Sequence, residues 1–554
     1  MSAMNTRNIV KAVFSLSCAL LAGAGLASHL EGKMKTVRPF ETALGVKGEV
    51  VCGAPAGEEL DSTACAPVPK KVSIGKLKWT LPEFARIEGS RLVVDLLASQ
   101  RARSSVARAE LDVTSYAGHT LRFEVSTTAK DVAKPERPYW GSKFQLAVEY
   151  ADGTREWPGA GGGEGSWTAE QSFRALLRRQ PIRRASLELG IQSSTGRMEY
   201  DLSSLKIWDE GELFKLVNRD FQVRYPESVA GRRPLRGVML PGSAREITED
   251  HFVTLEEWGA TLVRFQFSRG WDRVGAWLDC SEYDRYVDGE LDALEKRILP
   301  WAGKYGIKVC IDLHAVPGAR IAPGTELRMF FERKYRDHFV ATWRRIASRL
   351  TEDPRLYGYD LVNEPCQTTP APYSYLHVQL DAARAIREVD AKTPIIVEAN
   401  EYDSPMAFGY LSPLAMDNVI YEVHSYLPMA FTHQNVGPRK SGTLKPYPNE
   451  AEGWNKDFIR KALEPVRQFA LRHRAKIYVG EFSAIIWAPG AEDYIRDSIE
   501  IFNEYGWDWS YHAFREWNGW SVEHTWSRDA AGREKFAPSS DNPRLRALKE
   551  GLRR

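Results

Sequence analysis

Eight short apolar runs, each followed by a segment of helical period, fill the C-terminal three-fifths of this chain, and few folds accommodate that alternation. The runs are Gly237–Leu240, Thr261–Phe267, Lys308–Leu313, Tyr357–Val362, Pro394–Val397, Val419–Val423, Ile477–Val479 and Trp507–Tyr511. A run that is apolar on both faces suits a parallel strand covered by helices on each side. Between the runs, Phe339, Trp343, Ile346 and Leu350 recur at helical spacing, as do Ile459, Leu463, Val466 and Ala470. Gly259 and Gly306 stand where a helix must stop before the next strand. Eight such units in roughly 320 residues fit an α/β fold, a closed (β/α)8 TIM barrel spanning 234–554. An open doubly wound sheet is the alternative, but no phosphate-binding glycine fingerprint follows the first run.

Upstream the period changes to two. Leu121, Phe123 and Val125 alternate with polar neighbours, as do Phe144, Leu146 and Val148, then Leu187, Leu189 and Ile191. Turn signals such as Asp152-Gly153 and the Gly159–Gly165 run separate them, so residues 75–210 read as an antiparallel β-sandwich, jelly-roll-like. The segment Ala185–Ile207, with Gly196 and Asp201 placed between strands, loosely resembles the end of jelly-roll carbohydrate-binding modules. Trp140, Trp157 and Trp167 would serve such a module as a sugar-stacking platform, or fill its core instead. Residues 211–233 read as a charged, irregular connector.

The first residues read as an export signal: Arg7 and Lys11 precede an apolar run from Ala12 to Leu26, with small residues for cleavage at Gly25–Ala27. The run is shorter than the ~20 residues of a comfortable membrane span, and Cys18 has no lipobox around it. The expectation is a leader over 1–27, a tether over 28–74 and a secreted or periplasmic monomer without stable membrane insertion. A formal charge of +2 excludes a dedicated nucleic-acid surface. No cysteine spacing resembles a metal site. Cys52 and Cys65 flank a small-residue loop and suit a disulfide, and a Cys280–Cys366 bridge is a second candidate. Cys310, in an apolar run, reads as a buried thiol.

In a barrel of parallel strands, the residues at the carboxyl ends face the active-site mouth. Here those ends are polar. Arg264 lies in the second run, His314 ends the third, and Asn363 and Glu364 follow the fourth, where Pro365 stops the strand. His424 and Tyr426 follow the sixth, Glu481 the seventh, and Trp517 comes after the eighth. Singly, each has an ordinary structural explanation; together they place two strand-end glutamates in one ordered set, as two-carboxylate chemistry requires.

That ordered set resembles glycoside hydrolase family 5, within the clan of retaining glycosidases on TIM barrels. The likeness covers roughly residues 230–554. It implies Glu364 as acid/base and Glu481 as nucleophile, with Arg264, His314, Asn363, His424, Tyr426 and Trp517 supporting or binding substrate, and neither metal nor cofactor. Retention requires the two carboxyl groups ~5–5.5 Å apart. Arg264 and Tyr426 are placed to keep Glu481 ionised, and that charge favours the protonated form of Glu364. The implied activity is hydrolysis of a β-glucan polysaccharide or oligosaccharide, cellulase-like and endo-acting. The stretch Ala315–Gly318 also resembles members acting on β-1,3-glucans, and β-mannan or a glycolipid are further alternatives. A secreted carbohydrate-binding protein with an inactive barrel is the reading of another class, and the presence of both glutamates argues against it.

Overall fold

The computed structural model of the chain describes residues 69–553 apart from 98, 100–103, 136–139, 162, 213, 215, 272, 323–324, 370, 437–442 and 530–531. The export signal and the Cys52–Cys65 loop lie outside the described residues. The chain divides into two units that part after residue 215.

In the N-terminal unit two antiparallel sheets form a β-sandwich. One has the order Gly165–Leu176, Thr120–Val132, Gly196–Asp209, Arg91–Leu96, Ala85–Glu88; the other runs Trp79–Thr80, Ser104–Glu110, Ile182–Gln192, Gly141–Tyr150, Arg155–Glu156. The alternating positions meet in one core: Leu121, Phe123 and Val125 from the first sheet, and Phe144, Leu146, Val148, Leu187, Leu189 and Ile191 from the second. Asp201 is not between strands. It lies inside Gly196–Asp209, where the pairing slips between Asp201 and Lys206. Of the three candidate platform tryptophans only Trp157 is largely exposed, at 48%. Trp167 packs against the core, and Trp140 is half-buried.

The C-terminal unit is a closed barrel of eight parallel strands: β1 (Arg236–Met239), β2 (Leu262–Gln266), β3 (Lys308–Asp312), β4 (Leu356–Asp360), β5 (Ile395–Glu398), β6 (Val419–Ser425), β7 (Ile477–Phe482) and β8 (Asp508–Tyr511). All eight expected strands are present, so the TIM barrel is the fold. Helix Arg333–Leu350 buries Phe339, Trp343, Ile346 and Leu350. The pattern from Ile459 to Ala470 is instead two helices, Lys456–Ala462 and Glu464–His473. Pro465 explains the break, since it lacks the N–H that would continue the ladder and fits the first turn of a new helix. Gly259, at φ 90°, ends helix Glu249–Trp258 in the left-handed conformation open to glycine.

Residues after the unit boundary close the amino-terminal end of the barrel. Tyr225 and Leu235 pack on Leu262, Cys310, Tyr357, Ile396, Ile420 and Tyr478. Arg232 grips both carboxylate oxygens of Asp508 at 2.7 Å, and Tyr357 donates to the same carboxylate at 2.8 Å. Cys280 and Cys366 are free thiols, as is Cys310, so the Cys280–Cys366 bridge is not formed. Cys280 opens helix Cys280–Ala293, whereas Cys366 is buried past β4 beside Tyr402. Among the described residues no helix is long and apolar enough to cross a membrane.

Candidate active site

The carboxyl ends of the strands converge on one guanidinium. Arg264, on β2, is fully buried. Its Nη1 donates to Glu481 Oε1 at 2.7 Å. Its Nε and Nη2 donate to Asp360 Oδ2 at 2.9 and 2.6 Å. Nη2 also reaches Glu398 Oε1 at 3.0 Å and Asn363 Oδ1 at 3.1 Å, with Asp312 and Glu422 oxygens at 3.3 and 3.4 Å. The barrel register makes this possible, because Asp312 pairs with Asp360 across β3 and β4 and Glu398 with Glu422 across β5 and β6. A side chain on Gly480 would place its Cβ 1.5 Å from Glu422 Oε1, so only glycine lets Glu422 lie across β7.

So many buried acids around one cation cannot all be ionised. Burial first, and neighbouring carboxylates second, drive Asp360 and Glu398 well above the usual carboxylate range. Burial also raises Asp403, although His424 pulls it down. Glu481 goes the other way. Burial opposes its charge, but His424, His512, Arg264 and His314 together hold it far below the ordinary value. Tyr426 donates to Glu481 Oε2 at 2.8 Å.

His424 stands between the two glutamates predicted from sequence. Its Nδ1 lies 3.1 Å from Glu364 Oε1 and 3.8 Å from Glu481 Oε2. Burial disfavours its charge, yet Glu481 and Glu398 raise its pKa well above the usual value, so Nδ1–H donates to Glu364. One carboxyl oxygen each from Glu364 and Glu481 lie within 4.8 Å of one another and of a His424 nitrogen. Glu398, Asp403, Glu422 and His424 form a second such group. Positive charge at these places comes from Arg264 and from His424, whose pKa the surrounding carboxylates raise.

The remaining predicted residues fall around this pair. Asn363 turns Oδ1 to Arg264, while its Nδ2 is buried without a hydrogen-bond partner. His314 Nδ1 lies 2.7 Å from Asp312 Oδ2, and the edge of Trp271 meets its ring at 5.1 Å. Trp517 lies six residues past β8. It makes edge contacts with Trp487 at 6.1 Å and Trp520 at 5.9 Å. Trp520 in turn touches His512 and His433, so Trp517 is the outer member of an aromatic wall that reaches Tyr426.

Sequence reasoning missed Glu398, His512 and Arg320. Glu398 ends β5 and His512 follows β8, so the strand-end rule that found Glu364 would have found them. His512 Nδ1 lies 2.8 Å from the Tyr426 hydroxyl. Because that hydroxyl has only one hydrogen, donated to Glu481, His512 is the donor to its oxygen. Arg320 is a loop residue, buried to 2% exposure, with no local signal.

Comparison with known proteins bears on the family of the barrel. A family model described as Cellulase (glycosyl hydrolase family 5) matches residues 229–518, just over half the chain. Endoglucanase C of Acetivibrio thermocellus is 28% identical over 301 residues, 48% of this chain and 84% of that protein. Glucan 1,3-beta-glucosidase 1 of Schizosaccharomyces pombe is 26% identical over 190 residues, 32% of this chain and 44% of its own. The solved structure of Thermotoga maritima Cel5A with cellobiose is 21% identical, covering 57% of this chain and 96% of that one at a TM-score of 0.43.

Proposed function

The chain belongs to glycosyl hydrolase family 5 and is a glycoside hydrolase; on that premise we propose that it cleaves the β-linkages of a glucan with retention, Glu481 attacking and Glu364 moving the proton. The observation that carries this reading is the unlike surroundings of two carboxyl groups within 4.8 Å of each other. Glu481 is held as the anion by Arg264, Tyr426 and nearby imidazoles, which suits a nucleophile. Among the described residues, the Glu364 carboxyl meets His424 at 3.1 Å and no guanidinium.

In the first step a Glu481 oxygen forms a bond to the anomeric carbon while Glu364 gives its proton to the departing sugar oxygen. In the second, Glu364 takes a proton from water, whose oxygen displaces Glu481 from the same carbon with a second inversion. The unpartnered Nδ2 of Asn363 suits the 2-hydroxyl of the sugar, and the Trp517 side of the aromatic wall suits its ring face. The name of Endoglucanase C supports a β-glucan-type substrate cut internally. β-1,3-Glucan is the second reading, favoured by Ala315–Gly318 and by the Schizosaccharomyces relative. The basic and apolar leader supports export.

The test uses two variants and an aryl β-glycoside. Glu481→Ala should lose activity on every substrate. Glu364→Ala should still form the glycosyl-enzyme when the leaving group is good, accumulate it, and regain turnover with azide to give a product of retained configuration; proton transfer contributes about 10²–10⁴-fold. Azide rescue of Glu481→Ala alone, or an inverted product from the wild-type protein, refutes the assignment.

A further inference from the structure

Four non-glycine residues near the paired glutamates have left-handed backbones: Glu364 at φ 49°, and Glu401, Tyr402 and Asp403 at 56°, 61° and 56°. Three such residues in succession make a left-handed turn, which L-residues adopt only when the surroundings hold it. Asp403 closes this turn by accepting the Ala399 N–H at 2.7 Å.

The turn is bonded along the loop that carries Glu364. Glu398 Oε2 accepts the Glu364 N–H at 2.6 Å, and the Tyr402 N–H donates to the Pro365 carbonyl at 3.1 Å. Asn400 takes both main-chain groups of Gln367: Oδ1 accepts its N–H at 2.7 Å and Nδ2 donates to its carbonyl at 2.9 Å. From the other side Arg320 Nη2 donates to the Glu364 carbonyl at 3.0 Å. That guanidinium is set between the rings of Trp271 and Tyr402, each 5.5 Å away. The main chain of 364–367 is thereby fixed by side chains from two other loops, and none of these contacts reaches Glu481 except through Glu398 and Arg264.

We propose that the left-handed turn after β5, with Asn400 and Arg320, is a device that positions the proton-donating Glu364, and that it acts on proton transfer and leaves nucleophilic attack alone. Its residues touch no reacting atom. They fix the φ of Glu364, and with it the direction in which the carboxyl leaves the backbone. The inference rests on the acid/base assignment above.

A proton-transfer defect grows as the leaving group worsens, whereas a general loss of structure lowers all substrates alike. The experiment therefore compares kcat/KM for a dinitrophenyl β-cellobioside and for a cello-oligosaccharide, in Asn400→Ala and Asn400→Asp. Asn400→Asp keeps the acceptor for the Gln367 N–H. The expected result is a loss of about 10²-fold on the oligosaccharide for Asn400→Ala, less than about threefold on the dinitrophenyl substrate, and a smaller oligosaccharide loss for Asn400→Asp. Equal losses on both substrates overturn the proposal. So does wild-type activity on both, and so does a pair of variants that no longer melt cooperatively, since the turn is then needed for the fold itself. Glu364→Ala measured in parallel separates the two readings. If it too shows no leaving-group selectivity, the acid/base assignment fails; if it is selective and the turn variants are not, only this inference fails.

Discussion

Replacing Arg264 by methionine removes the one guanidinium that five buried carboxyl groups share, with little change of volume. Asp312, Asp360, Glu398, Glu422 and Glu481 each have an oxygen within 3.4 Å of its nitrogens. Taking one partner from a buried ion pair costs about 3–5 kcal/mol. Unfolding entropy of about 2.1 cal/mol/K per residue, over the roughly 340 residues that begin at Leu216, gives about 0.7 kcal/mol/K. The melting transition of the barrel should thus fall by roughly 4–7 °C near neutral pH. The deficit also has a sign in pH. Asp360 and Glu398 already have raised pKa values, and loss of the guanidinium moves both further up. A carboxyl group raised above its unfolded value contributes stability below that value and loses it as pH rises through the folded one. Arg264→Met should therefore be closest to wild type at pH 5 and furthest below it at pH 8. Scanning calorimetry of both proteins at the two pH values measures this. A deficit below about 2 °C at pH 8, or one that does not change between the two, shows that the acids do not depend on Arg264 as argued.

Tyr426→Phe deletes the hydroxyl that donates to Glu481, a charge-assisted bond worth about 1.5–3 kcal/mol. A fall in kcat/KM of roughly 10–100-fold, the same for good and poor leaving groups, is expected in steady-state kinetics, and a selective loss would contradict it. His433 packs against Tyr426 and Trp520 at 4.7 and 4.9 Å, and burial first, then His512, pushes its pKa down to about 3. A histidine lowered in this way supports the fold above pH 6.5 and loses that support as pH falls towards 3. His433→Phe should flatten the acid side of the urea-melting curve by up to about 1.4 kcal/mol per pH unit, and an unchanged slope refutes this. A protein beginning at Phe214 keeps Val217, Asn218 and Tyr225, whose bonds go to Ser412, Pro413 and Val419. It should fold and hydrolyse short soluble substrates at close to the full-length rate, and aggregation on expression would show that the barrel needs the sandwich.

The sequence by itself determined the two architectures, because each rests on which faces of a short segment are apolar. Runs such as Val419–Val423 are covered on both faces, and alternation such as Leu121, Phe123, Val125 is covered on one; both patterns are local. It also determined which carboxyl groups to examine, since Glu364 follows a run that Pro365 stops and Glu481 follows the seventh run, both at strand ends. Helix breaks needed closer reading, as Pro465 shows. What only the tertiary structure decided is charge and direction. Asp312, Asp360 and Glu422 read as ordinary polar positions within strands, and nothing local says that they meet at Arg264. The Cys280–Cys366 pairing failed for the same reason, and the unlike burial of Trp157 and Trp167 was equally out of sight. Arg320 and Glu398 grip Glu364 from 44 and 34 residues away along the chain. A carboxyl group's protonation and aim depend on what surrounds it within a few ångströms, and closing the barrel is what brings those surroundings together.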